Sequence, residues 1–149
     1  IYDATMENLN RTSLGFNLEN ITKNLPTALL VSEAKPDGKI LFVNKTMVEM
    51  LECRNIHEFM EFTQGYAPNV VCTCDRERMT KMVWEQSARE PDRPHCMSYS
   101  IHTAKGLDKR VFAIWRMADN PNYGEVFYAT LMEASFLREL TSDDGECKA

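Results

Sequence analysis

The sequence predicts an α+β fold, a five-stranded antiparallel sheet with helices over one face, and three observations carry that prediction. A Pro36-Asp37-Gly38 turn separates two apolar runs of strand character. A strand then runs directly into a helix at Asn44, and three further strand-like runs joined by short loops fill the C-terminal part. The order is β-β, helices, β-β-β. Hairpin-length loops cannot bring strands into parallel register, so the sheet is antiparallel.

The 149 residues make one domain's worth of chain, able to bury a core without disulfide staples. With 44% hydrophobic and 26% charged residues the composition is that of an ordinary globular protein. No apolar run approaches the ~20 residues that cross a bilayer, so no membrane contact is expected of this segment. The net charge is −5, and the few basic residues form no stripe able to neutralise several phosphates, which argues against nucleic-acid binding. Five cysteines, an odd and dilute set, fit a reducing cytoplasm. The chain begins at Ile1 and reads as a piece of a longer polypeptide.

From Tyr2 to Asn24 the pattern is helical but interrupted at Ser13, Gly15 and Asn17, which predicts two short helices. Leu14, Leu18, Ile21 and Leu25 fall at spacings of four, three and four. That stripe either packs on the domain's own sheet or forms a dimer seam. Pro26 ends the helix, because the residue before proline is pushed out of helical geometry.

Ala28 to Val31 and Ile40 to Val43 are apolar and rich in β-branched or aromatic residues, and the turn between them makes them a hairpin. The Asn44 side-chain carbonyl can accept from a free amide of the first helical turn of Lys45 to Leu51, a cap of about 1 kcal/mol. Asn55 to Glu61 reads as another short helix, with Ile56, Phe59, Met60 and Phe62 available to the core, and Thr63-Gln64-Gly65 breaks it. Asp75 is placed to cap a long helix that runs to Arg89 and lines one side with Met79, Met82, Val83 and Gln86.

Three strands follow, at about His95 to Thr103, Lys109 to Ala118 and Glu125 to Glu133. Met97, Tyr99 and Ile101 alternate with polar neighbours, the period-two mark of one buried face. In the next strand the set Val111, Ala113, Trp115 and Met117 is assigned inward. Ser135 to Leu140 is a short helix with Phe136, Leu137 and Leu140 apolar, and the tail from Ser142 is polar and frayed.

Strand, D-G turn, a strand ending in Val43-Asn44 and an immediate helix resemble the opening of a PAS domain. The resemblance continues through E-F-M-E-F-T-Q-G (58–65), D-R-E-R-M (75–79), W-E-Q (84–86) and Y-G-E-V-F-Y-A-T-L-M-E (123–133), and covers roughly residues 24 to 134. It is similar to the PAS modules that precede diguanylate cyclase or histidine kinase domains in bacteria. The resemblance implies a strand order of 2-1-5-4-3, with a helical cap over 1–24, the PAS domain over 25–134 and a linker over 135–149. It further implies a sensory module, itself non-catalytic, that responds to a small ligand or partner and acts on an attached output domain. A ligand-free dimerisation module is the alternative.

The chain also departs from the family pattern. Relatives that read V-H-P-D-D before the long helix are matched here by V-C-T-C-D (71–75), and a basic-aromatic R-W pair has only approximate counterparts in Arg110, Phe112 and Trp115. Glu133-Ala134-Ser135 replaces the D-I-T-like motif that couples the last strand to the linker. Haem-binding relatives present an axial His from the long helix, and Asp75 to Arg89 holds none, which disfavours haem. The N-C-R-F-L-Q motif of flavin photosensors is absent, and Asn69-Val70-Val71-Cys72 is a remote echo of it, so flavin is disfavoured too. The cofactor is left unknown.

Of the remaining chemistry, Cys72 and Cys74 precede the amide-rich start of the long helix, where a thiolate would be favoured. On an extended loop, though, cysteines two apart point away from each other. A zinc site from Cys53, His57, Cys72 and Cys74 is set aside because a helix-to-helix turn over Leu51 to Asn55 spoils its geometry. An enzyme reading has no positive motif, since the strands offer only His95 and His102. The residues expected to line a ligand cavity are Phe42, Met79, Met82, Val83, Tyr99 and Trp115, with methionine suited to a pocket that repacks.

Overall fold

The structure is a computed structural model and describes residues 17–139. Its elements are helix α1 (Leu18–Lys23), strands β1 (Ala28–Glu33) and β2 (Ile40–Val43), helices α2 (Lys45–Met50) and α3 (Ile56–Thr63), a 3-10 turn (Ala67–Val70), the long helix α4 (Thr73–Arg89), and strands β3 (His95–His102), β4 (Asp108–Asn120) and β5 (Gly124–Glu133). Residues 134–139 are helical. The five strands form one antiparallel sheet in the order β2-β1-β5-β4-β3, as the resemblance implies.

One face of that sheet carries the core. Ala28, Leu30 and Ser32 of β1, Met97, Tyr99 and Ile101 of β3, and Val111, Ala113 and Trp115 of β4 are all buried, each set at period two. Phe112 and Ile114 point outward, so the inward assignment of the Trp115 set holds. Register stacks these residues across the strands, with Met97 opposite Ala113, Ala113 opposite Leu131, and Trp115 opposite Ala129. Met47 and Val48 of α2 and Phe59 of α3 close the core from the helical side.

Asn44 caps α2 as its position predicts, and it does more. Its Oδ1 accepts from Met47 N at 3.0 Å and from Leu29 N at 2.9 Å. Its Nδ2 donates to the carbonyls of Thr22 and Thr27, both at 3.0 Å. Every hydrogen bond the amide can make is used, with α1, β1 and α2 tied to one buried side chain.

Several local expectations are corrected. In α3, Phe59 is buried, but Ile56 and Phe62 face outward, and the helix seats Thr63 inward instead. Helix α4 begins two residues before Asp75, with Cys72 at the N-cap and without a side-chain cap bond. Asp75 is drawn across to β3, where it accepts from Ser100 N at 2.8 Å. A tertiary amide has outbid the local one.

The N-terminal stripe does not pack on the sheet. Leu18 and Ile21 are 71% and 50% exposed, because the side of α1 turned inward carries Thr22, where Asn44 takes hold of the backbone. Leu25 is half-buried, and its carbonyl accepts from Thr46 Oγ1 at 2.7 Å. Leu14, the first of the two N-terminal helices, Leu140 and the polar tail lie outside the described residues. Among the described residues no helix is long and apolar enough to cross a membrane.

Candidate functional site

Between the inner face of the sheet and α4 lies a cavity of about 100 Å³. Strands β1, β3, β4 and β5 form its floor with Leu30, Ser32, Met97, Tyr99, Ala113, Trp115, Phe127 and Ala129, and α4 its roof. The small side chains at Ala113 and Ala129 leave the space that Trp115, opposite Ala129, does not fill. Lys35 and Pro36, both exposed, mark the rim at the β1–β2 turn.

That turn is held against the 3-10 segment. Ala67 N donates to Gly38 O at 2.7 Å, and Ile40 N to Gly65 O at 2.8 Å. Gly38 has φ +62°, and a Cβ there would stand 3.1 Å from Pro68 Cδ, so glycine is required by both conformation and space.

Met79, Val83, Tyr99 and Trp115 line the cavity as expected from sequence. Met82 does not: it is half-buried against the core, with its sulfur 3.6 Å from an Arg78 Nη. Nor does Phe42: it stands opposite Val31, on the face turned away from the inward Leu30, whose partner Val43 meets the core instead. The roof presents Met79, Thr80, Val83 and Trp84, with Ser87 one turn on. This face is rotated from the Met79-Met82-Val83-Gln86 stripe. A search for residues at spacings of three and four that admitted Thr and Ser beside the apolar ones would have found it.

Polar groups in and around the cavity differ in how they are served. The Trp115 indole N–H donates to Ser87 Oγ at 3.3 Å, and the Lys35 ammonium pairs with Glu33 at 2.9 Å, which raises its pKa first through that hydrogen bond. Burial pushes the Tyr99 hydroxyl well above the usual tyrosine range, so it remains protonated. Trp84 meets Phe127 edge to face, with centroids 5.4 Å apart.

A second cluster locks the start of α4 to β3 and β4. Asp75 accepts from Ser100 N, Arg78 and Arg110, and Arg110 also reaches Ser98 and Ser100. The backbone amide of Ser100, and after it the two guanidinium groups, hold the Asp75 carboxyl below the usual carboxylate range. Arg110, singled out by the approximate basic-aromatic match, therefore serves the helix end and not the cavity.

The cysteines depart from expectation. With Cys72 at the N-cap and Cys74 in the first turn, the chain is no longer extended, and the two sulfurs lie 3.1 Å apart. The hydrogen bond with Cys72 raises the Cys74 pKa, so the helix start does not make it a thiolate. Cys53 is a core residue, and His57 is exposed and pairs with Glu61 at 3.0 Å. Among the described residues no three His, Cys, Asp or Glu side chains converge as metal ligands. His95 and His102 bond to Glu90 O and Asp108, and neither lines the cavity.

The fold is that of a PAS domain. A PAS domain of a LuxR-family transcriptional regulator from Burkholderia thailandensis, solved in complex with ethanol, superposes with TM-score 0.61 at 15% identity, over 80% of this chain and 99% of that one. A PAS domain from a two-component sensor histidine kinase gives 0.59 at 11% identity, over 77% and 91%. The PAS domain of a Desulfitobacterium hafniense protein gives 0.59 at 12%, over 76% and 98%. No family model matches the chain, and no curated protein matches it in sequence.

Proposed function

We propose that this chain is the sensory module of a bacterial signal-transduction protein, cytoplasmic and itself non-catalytic, which takes up a small molecule between sheet and α4. The observation that carries this reading is the cavity of about 100 Å³, walled by both layers of the fold. Occupancy that favours one packing of the two layers shifts the equilibrium between them. Structurally similar domains come from a sensor kinase and a transcriptional regulator, and one holds ethanol, a small neutral ligand.

The signal leaves through β5. Phe127 and Ala129 line the cavity, and the same strand ends at Glu133, immediately before the helical residues 134–139. Glu133 pairs with Lys109 of β4 at 3.0 Å, and this ion pair takes the coupling place of the D-I-T-like motif that the chain lacks. Residues 135–149 then lead to an output domain. Of the two outputs the resemblance implies, a histidine kinase is the one from which a structurally similar PAS domain comes.

Native mass spectrometry of the purified chain beside its denatured mass tests this reading. A bound small molecule that is lost in Ala129→Leu, which fills the cavity, supports it. A wild-type chain that takes up no small organic molecule from a screen of this size class refutes it.

The exposure of Leu18 and Ile21 favours a second role as a homodimer through this face of α1. Light scattering that shows a concentration-dependent dimer, abolished by Leu18→Glu with Ile21→Glu, supports this role. A monomer at every concentration excludes it.

A further inference from the structure

Among the described residues three cavity-lining hydroxyls, of Ser32, Tyr99 and the half-buried Thr80, make no hydrogen bond, and the first two are almost fully buried. Tyr99 and Ser32 are 6% and 5% exposed, and among the described residues neither side-chain oxygen makes a hydrogen bond. Nor are these oxygens walled in by neighbouring atoms: among the described residues the one side-chain polar atom so sealed without a partner is Arg76 Nε. Both residues line the cavity. Such groups are the exception in a folded interior, where a buried polar atom is almost always paired.

The other groups of the lining define what could meet them. Trp115 N–H is taken by Ser87, Thr80 and Trp84 of α4 add a half-buried hydroxyl and an indole N–H that make no hydrogen bond among the described residues, and the ionic group of the lining, Lys35, stands at the rim already paired with Glu33. A charged ligand would lose its hydration inside and gain no free counter-charge. At about 100 Å³ the cavity is smaller than the apolar protein cavity of about 150 Å³ that admits benzene, and a ring enters it as the adaptable Met79 and Met97 of the lining repack. Tyr99 stands on β3 and Ser32 on β1, with β4 and β5 between them, so the two hydroxyls address the ligand from different sides.

Resting on the reading of the cavity as a ligand site, we infer that it selects uncharged, ring-sized organic molecules bearing a hydroxyl or carbonyl oxygen, with Tyr99 Oη as donor to that oxygen and Ser32 Oγ meeting a second polar edge. Apolar molecules of the same shape fit but leave both hydroxyls unmet. Carboxylates of the same shape are excluded.

Calorimetric titration of the full chain with toluene, benzyl alcohol and benzoate tests this class. Benzyl alcohol is expected to bind about tenfold more tightly than toluene, the yield of one buried hydrogen bond, and benzoate more weakly than either. Tyr99→Phe should bring benzyl alcohol down to the affinity of toluene while leaving toluene unchanged, and Ser32→Ala should give a smaller loss in the same sense. Toluene binding as tightly as benzyl alcohol, or an unchanged ratio in Tyr99→Phe, overturns the inference and leaves the cavity a ligand site. Benzoate binding most tightly overturns it in favour of recognition by Lys35. If none of the three binds and the wild-type chain carries no bound molecule by native mass spectrometry, the ligand-site reading falls as well.

Discussion

Asn44 and Tyr99 are both buried polar side chains in the same core, and their situations are opposite. Asn44 spends all four hydrogen bonds of its amide on the protein, at 2.9 to 3.0 Å, and so joins three elements. Among the described residues Tyr99 spends none on the protein, and Ser32 likewise. A fully satisfied buried polar group specifies architecture, because any shift of its partners leaves orphaned donors and acceptors. A buried hydroxyl turned to open space specifies no architecture and is free for something that enters.

Replacing Asn44 is the largest test of that contrast. Asn44→Ala orphans two amides and two carbonyls around a buried site, and should lower stability by about 3–5 kcal/mol in denaturant titration. A loss under about 1 kcal/mol would mean that Asn44 is only the helix cap read from sequence.

Gly38→Ala probes the rim. Positive φ and the close Pro68 Cδ should together cost about 1–2 kcal/mol, read by the same titration. A neutral result would show that the turn is free to lift from the 3-10 segment.

Asp75 sits between the two extremes, well bonded but near the surface. Its folded pKa lies below the ordinary value, so its contribution is present above about pH 4, the unfolded carboxyl range, and is lost as pH falls through the folded pKa. The melting temperature of Asp75→Asn should therefore trail wild type at neutral pH and approach it toward pH 3. A constant gap across that range would sink the assignment.

The smallest effect falls on the cavity. Tyr99→Phe removes a hydroxyl that bonds to nothing among the described residues, so thermal unfolding should be unchanged or slightly raised. A drop of about 2 kcal/mol would reveal a hydrogen bond that orders the core and would dissolve the contrast with Asn44.

The legible parts of this fold are those whose cause is local. The Pro36-Asp37-Gly38 turn, the Asn44 cap, the period of two in β3 and β4 and the direct passage from strand to helix each depend on residues a few positions apart. Where a distant group competed, local reading failed. Asp75 looked like a cap and became the partner of Ser100, 25 residues on, while the stripe Leu18-Ile21 looked like core and was turned outward by the hold of Asn44 on Thr22. Four of the six expected cavity residues were found because they alternate on strands or recur along α4. Met82 and Phe42 were misplaced because helix rotation and strand register are set by packing.

The sequence by itself determined the kind of elements, their order and which strand faces are apolar, since hydrophobic period and turn chemistry act over a handful of bonds. Only the tertiary structure decided that small residues at 113 and 129 oppose large ones under α4 to leave a cavity, and that Ser32 and Tyr99, whose hydroxyls have no partner among the described residues, line it. A cavity is a mismatch of volumes contributed by many distant residues, and an unmet hydrogen bond is a property of everything around it, so neither has a local signature.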